Sequence, residues 1–151
     1  MKKIASFEVD HTRLQPGMYI SRVDGDITTY DLRLRRPNIE PAMEIDSMHT
    51  IEHLAATWLR NSTSKEKIIY FGPMGCRTGF YLLMRDADAA EAVDAVRQAF
   101  AFIADYEGEI PGVSAAECGN WRSHNLPLAR RDAAEYTKVL EHWQVENLQY
   151  A

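Results

Sequence analysis

The seven residues Met48-His49-Thr50-Ile51-Glu52-His53-Leu54 constrain the fold of this chain more than any other stretch. On a helix, positions four apart lie about 40° apart around the axis and about 6 Å along it, so His49 and His53 share one face. Two imidazoles so placed can ligate one metal ion. Glu52 projects near the same point without having to bind, where a carboxylate can move protons for whatever the metal activates. The string His-x-x-Glu-His is the reverse of His-Glu-x-x-His and is the inverzincin pattern. Two surface histidines on an ordinary helix would read the same way. The surrounding periodicity narrows the choice. Met48, Ile51, Leu54, Ala55, Trp58 and Leu59 repeat at helical spacing, which predicts a helix over 46–61 with Asp46 or Ser47 as N-cap. His49, Glu52, His53 and Ala56 form the neighbouring stripe. The fold must therefore set the His pair beside the core, where water is partly excluded.

The rest of the chain has to supply that core. Its 151 residues suggest one domain over 1–151. A domain of that size buries roughly two-thirds of its unfolded surface. Hydrophobic residues make up 46% and charged residues 26%, a soluble globular balance. A net charge of −5 argues against non-specific nucleic-acid binding, which needs a basic footprint. No run is long and apolar enough for a membrane span, and Glu8 and Asp10 interrupt any signal-peptide pattern at the start. A cytoplasmic location is expected. In a reducing compartment Cys76 and Cys118 read as ligands, nucleophiles or small buried residues rather than as a disulfide.

Residues 1–18 read as an extended opening, with Asp10-His11-Thr12 able to cap a turn; Ser6 and His11 are polar there and read as solvent-exposed. A strand is expected over 18–23, a hairpin turn at Asp24-Gly25-Asp26 and a second strand over 27–36. Alternation puts Tyr30, Leu32 and Leu34 on a core face. Asp31, Arg33 and Arg35 fall on the other, either solvated or set to bind carboxylate or hydroxyl groups of a ligand. Strands over 66–71 and 80–84 flank Gly72-Pro73-Met74-Gly75-Cys76-Arg77-Thr78-Gly79, a tight loop of the kind that brings backbone and a side chain up to a ligand. Arg77, beside Cys76 in sequence, is expected to favour its thiolate. Helices are expected over 87–106 and 128–143, with Cys118 presented on the loop between them and His142 in the last helical turn.

A catalytic metal site needs three protein ligands and an open position. After His49 and His53 the residues leave Cys118, Cys76, His11, His124, or a Glu such as Glu117, Glu135 or Glu141 as the third. The Glu choice would make an inverzincin-type metallopeptidase. The chain is short for an enzyme that must bind an extended peptide, and a peptidase has no need of two unpaired cysteines. A closed, non-enzymatic metal module using His49, His53, Cys118 and Cys76 is a further reading.

Taken together, several motifs resemble the S-ribosylhomocysteine lyase (LuxS) family. They are Ser6-Phe7 with Asp10-His11-Thr12, Tyr30-Asp31-Leu32-Arg33 with Pro37-Asn38, and the His49–His53 string. Gly72-Pro73-Met74-Gly75-Cys76-Arg77-Thr78-Gly79-Phe80-Tyr81 and Glu117-Cys118-Gly119-Asn120 complete the set. The match runs through essentially the whole chain in order. The resemblance implies an α+β fold, an antiparallel sheet with helices on one side, in a homodimer with active sites at the interface. It implies His49, His53 and Cys118 as ligands of one divalent metal per subunit, Fe(II) natively and Zn(II) or Co(II) in more stable preparations. Glu52 and Cys76 would be the acid/base pair, and Ser6, His11 and Arg33 would bind substrate. The implied reaction converts S-ribosylhomocysteine to homocysteine and 4,5-dihydroxy-2,3-pentanedione, the autoinducer-2 precursor, a quorum-sensing signal or a by-product of the activated methyl cycle.

Overall fold

The structure is a computed structural model describing residues 1–151. Four strands, β1 (Gly17–Asp24), β2 (Ile27–Arg33), β3 (Ile68–Pro73) and β4 (Gly79–Arg85), form one sheet in the order β1-β2-β4-β3. Every neighbouring pair is antiparallel. Helix α1 (Ile45–Asn61) lies between β2 and β3 in sequence; α2 (Ala89–Ala104) and α3 (Leu126–Val139) follow β4. The fold is thus α+β, with an antiparallel sheet and three helices.

Cross-strand register explains which sheet face the helices cover. Met18 pairs with Leu32 and Leu32 with Phe80; Ile20 pairs with Tyr30 and Tyr30 with Leu82. These rows share one face, and all but Ile20 are almost fully buried against α1, α2 and α3. From α1 come Met48, Ile51, Leu54 and Leu59, the stripe read from the sequence. Full burial of each such side chain stabilises the fold by about 1.5–3 kcal/mol. Phe80 stacks on Phe71 at 5.1 Å, and Phe100 of α2 meets Tyr136 of α3 edge-on at 4.8 Å. The Tyr136 hydroxyl donates to Gly17 O at 2.8 Å, tying α3 to the first strand.

The helix ends follow local chemistry. Asp88 caps α2 by accepting from Glu91 N, and Asn125 caps α3 by accepting from Leu128 N. α1 departs from expectation. It begins at Ile45, and neither Asp46 nor Ser47 caps it. Ser47 Oγ instead donates to the buried Asp132 at 2.6 Å, and the Asp46 carboxylate accepts from Ser123 Oγ. The two residues dock α1 onto α3 and the loop before it. β2 ends at Arg33 rather than residue 36, because the N–H groups of Leu34 and Arg35 both bond to Thr78 O, at 2.9 and 3.0 Å, and the chain turns away. α3 ends at Val139, so His142 lies in the turn after the helix and not in its last turn.

On the second sheet face, the solvated alternative falls. Asp31 and Arg33 are 1% and 2% exposed, not solvated. They pair as a fork, with Arg33 Nε donating to Asp31 Oδ1 at 3.0 Å and Nη2 to Oδ2 at 2.7 Å. Arg35 turns instead to Asp132, at 2.7 Å.

Candidate active site

His49 and His53 project from α1 with ring centroids 4.6 Å apart. Each is fixed from behind: His49 Nδ1 bonds to Ser123 O and His53 Nδ1 to Pro111 O, both at 2.8 Å. A carbonyl only accepts, so both Nδ1 atoms carry the proton and both Nε2 atoms present lone pairs. The loop between α2 and α3 brings a third group to the same point. Cys118 Sγ lies 3.4 Å from His49 Nε2 and 3.7 Å from His53 Nε2. In a tetrahedral site with metal–sulfur and metal–nitrogen bonds of about 2.3 and 2.0–2.1 Å, the sulfur–nitrogen edge is about 3.5 Å. The two observed edges bracket that value. A single thiol proton can satisfy only one of the two sulfur–nitrogen edges, whereas one cation satisfies all three donors, so the residues fit a divalent metal. Gly112 makes the support possible. It adopts φ +72°, and a Cβ there would sit 3.3 Å from His53 Nδ1.

His124 joins the group; the four ligand atoms all lie within 4.8 Å of one another. Its ring stacks on His49 at 4.0 Å. Its Nδ1 lies 3.0 Å from Thr50 Oγ1, which in turn donates to Asp46 O at 3.0 Å. Nδ1 therefore donates to Thr50, and Nε2 is a buried lone pair with no protein partner. Burial, then the neighbouring His49 and His53, push His124 down to about 4, so the ring is neutral.

Cys76 stands apart from this group. It is exposed, on the loop joining β3 to β4. That loop is closed by Met74 N bonding to Gly79 O at 2.9 Å and Arg77 N bonding to Met74 O at 3.0 Å. A Cβ on Gly79 would meet Leu32 O at 2.1 Å, so only glycine lets β4 start this close to β2. The cation beside the thiol is not Arg77, whose guanidinium donates to Met43 O at 3.2 Å. It is Arg33, whose Nη1 lies 2.8 Å from Thr78 Oγ1 and 3.9 Å from Cys76 Sγ. Thr78 Oγ1 is 3.0 Å from the same sulfur. Burial opposes the Arg33 charge, but its bonds to Asp31 outweigh that and hold the guanidinium above its ordinary range. A guanidinium and a hydroxyl thus both face the sulfur.

Over nearly its full length the chain is similar to proteins of one kind. A model described as S-ribosylhomocysteinase (LuxS) matches residues 4–147. Proteins named S-ribosylhomocysteine lyase from Borreliella burgdorferi (strain ZS7), Phocaeicola vulgatus and Clostridium acetobutylicum are each 49% identical to it. The alignments cover 99% of this chain and 98–99% of theirs. The chain belongs to the S-ribosylhomocysteinase (LuxS) family. Nothing among these relatives supports a peptidase, and the His/Cys group contains no Glu. Glu117 accepts from Ser114, and Glu135 pairs with Arg35.

Two clefts flank the Cys76 loop of this LuxS-family chain. One, of about 370 Å³, is lined by His11, Pro37, Asn38, Cys76 and Thr78 among others. The other, of about 260 Å³, is lined by His49, Glu52, Pro73, Gly75 and Arg77 among others. The fold thus brings His11, Arg33 and Cys76 together and sets Glu52 beside His49. Ser6, in a short 3₁₀ turn over Ala5–Phe7, lines neither cleft. Asp31 and Thr78 did not stand out in the sequence as parts of this site. The Asp-x-Arg spacing on one strand face was the available signal.

Proposed function

We propose that this chain is a metal-dependent S-ribosylhomocysteine lyase, folded as a single domain over 1–151. The observation that carries the reading is the convergence of His49 Nε2, His53 Nε2 and Cys118 Sγ in a chain that also sets a thiol against Arg33. His49, His53 and Cys118 hold one divalent ion. The mixed nitrogen–sulfur donor set suits Fe(II), the native choice, and Zn(II) or Co(II) in its place. When bound, the ion supplies Lewis acidity that polarises a sugar carbonyl.

The substrate's thioether is a poor leaving group until a carbonyl stands two carbons away. The carbonyl must therefore move from C1 through C2 to C3. Cys76, as thiolate, takes and returns the proton at C1 and C2. Glu52 carries protons between oxygens and serves the C3 and C4 steps: it takes the C3 proton as the carbonyl leaves C2, and the C4 proton once the carbonyl is at C3. Elimination then breaks the C5–S bond. Homocysteine leaves with the electron pair and a proton; the C4–C5 enol left behind loses its hydroxyl proton and gains one at C5, giving 4,5-dihydroxy-2,3-pentanedione with no net oxidation. Ser6, His11 and Arg33 hold the substrate's polar groups.

The active form is a homodimer with sites at the interface, which accounts for Ser6 lying away from its own chain's clefts. Exposed Ile4, Phe7, Ile39 and Ile45 are the kind of apolar surface a partner covers. The enzyme is cytoplasmic, and its product serves as autoinducer-2 precursor. No helix is long and apolar enough to cross a membrane.

Turnover and metal content measured together test the roles. Cys76→Ala and Glu52→Ala should each lower kcat by about 10³ with the metal retained. Loss of metal in either variant, with proportionate activity on reconstitution, would remove the assignment.

A further inference from the structure

The segment after α3 reaches back to the second sheet face. Gln144 and Asn147 exchange side-chain-to-backbone bonds around a 3₁₀ turn, Val145–Leu148, and Leu148 is fully buried. This seats Tyr150 on the sheet. Its ring stacks on Tyr19 of β1 at 4.9 Å. Its hydroxyl donates to Asp31 Oδ2 at 2.6 Å.

The donors around Asp31 can be followed one at a time. Asp31 Oδ1 takes Arg33 Nε; Oδ2 takes Arg33 Nη2 and the Tyr150 hydroxyl. The fork commits one edge of the guanidinium to Asp31 and leaves Nη1 for Thr78 Oγ1 and Cys76 Sγ. The line Tyr150, Asp31, Arg33, Cys76 is therefore continuous, and its two central members are almost fully buried. Burial, and then the Asp31 charge, hold the Tyr150 phenol well above its ordinary range, so it stays a donor.

We propose that Tyr150 is a positioning residue for the thiol site: it fixes Asp31, and through it the direction in which Arg33 faces Cys76. Without the phenol, Oδ2 keeps only Arg33 as partner. The carboxylate then draws the guanidinium more strongly and is free to turn. Both changes weaken the positive field at the sulfur. The effect on turnover rests on the reading of Cys76 as the proton-transfer group; the effect on thiol reactivity does not.

The test uses the full-length, metal-loaded protein. Cys76 alkylation by iodoacetamide at pH 7 is followed by peptide mass spectrometry in wild type and Tyr150→Phe, alongside kcat, KM and Tm. The expected result is alkylation slowed about three- to tenfold and kcat lowered by a similar factor. An unchanged Cys76 alkylation rate overturns the proposal. A change in Tm alone, which a merely structural role would give, also overturns it. Slowed alkylation with unchanged kcat keeps the positioning role and removes Cys76 from the chemistry proposed above. If Tyr150→Phe does not fold, Tyr150→Leu is read by the same alkylation assay with the same criteria.

Discussion

Replacing Arg33 with Met should damage stability and turnover by separable amounts. In the folded chain Asp31 accepts from Arg33 Nε at 3.0 Å, from Arg33 Nη2 at 2.7 Å and from Tyr150 Oη at 2.6 Å. Arg33→Met keeps most of the side chain's packing but removes two of those donors, stranding a carboxylate that is 1% exposed. Breaking a buried pair on one side costs about 3–5 kcal/mol. At about 2–4 °C per kcal/mol for a protein of this size, Tm should fall by about 6–20 °C. The double variant Asp31→Leu/Arg33→Met removes both charges; the Tyr150 hydroxyl loses Asp31 and Thr78 Oγ1 loses Arg33 Nη1, about 1 kcal/mol each. It should therefore be more stable than Arg33→Met alone, within about 1–2 kcal/mol of wild type. Turnover should stay lost in both variants, because neither has a cation at Cys76. Thermal and urea unfolding at one protein and metal concentration measure the stability cycle. A double variant no more stable than Arg33→Met would refute the argument that paired charge holds this face together. So would a single variant within about 1 kcal/mol of wild type.

Three further outcomes are expected. Cys118→Ala should lose metal before it loses fold, read by metal analysis and circular dichroism; full metal occupancy in that variant would exclude Cys118 as a ligand. Gly112→Ala forces a side chain into φ +72° against His53, so the Pro111 carbonyl must shift. Metal affinity should fall about 10- to 100-fold, as for loss of a hydrogen bond that orients a ligand, and an unchanged affinity in a chelator competition counts against that support. Tyr19, Tyr30, Tyr81, Tyr136 and Tyr150 are all held above the ordinary phenol value of 10.0, chiefly by burial. Above pH 10 the unfolded chain releases these protons and the folded chain keeps them, so stability is full below that pH and falls as pH rises. Absorbance at 295 nm should show tyrosine ionisation arriving with unfolding, and free titration of all tyrosines in the native state would contradict it.

Periodicity carried α1 well, because a helix that packs on a sheet must repeat its apolar residues every turn. Met48, Ile51, Leu54 and Leu59 are all buried as that rule requires. Its capping was misread because Asp46 and Ser47 serve contacts made by residues 77 and 85 positions away, Ser123 and Asp132. Strand alternation placed Tyr30 and Leu32 on the core face and Asp31 and Arg33 on the other, but left open whether that second face is solvated. A polar face normally means solvent, and here a charged pair satisfies itself under cover of Tyr150. The metal group was half legible. The His pair is local, whereas its third and fourth neighbours depend on how a long loop closes over α1. Spacing alone could not choose among Cys118, Cys76, His11, His124 and Glu.

The two cysteines end in opposite electrostatic settings, and that difference assigns them different chemistry. Cys118 faces the lone pairs of two imidazoles whose protons are turned away to backbone carbonyls. No protein cation faces it there, so a negative sulfur at that point calls for a metal. Cys76 faces Arg33 and Thr78, a guanidinium and a hydroxyl. For Cys76 to close a four-ligand structural site it would have to leave both partners, and the stranded Arg33–Thr78 pair would lie buried without the anion it points toward. On the proposed reading, the sulfur that faces the protein's own donors is the one that takes and returns protons. Arg33 keeps this direction while Asp31 holds its other edge, so on that reading the buried ion pair on the second sheet face serves the reaction as well as the fold.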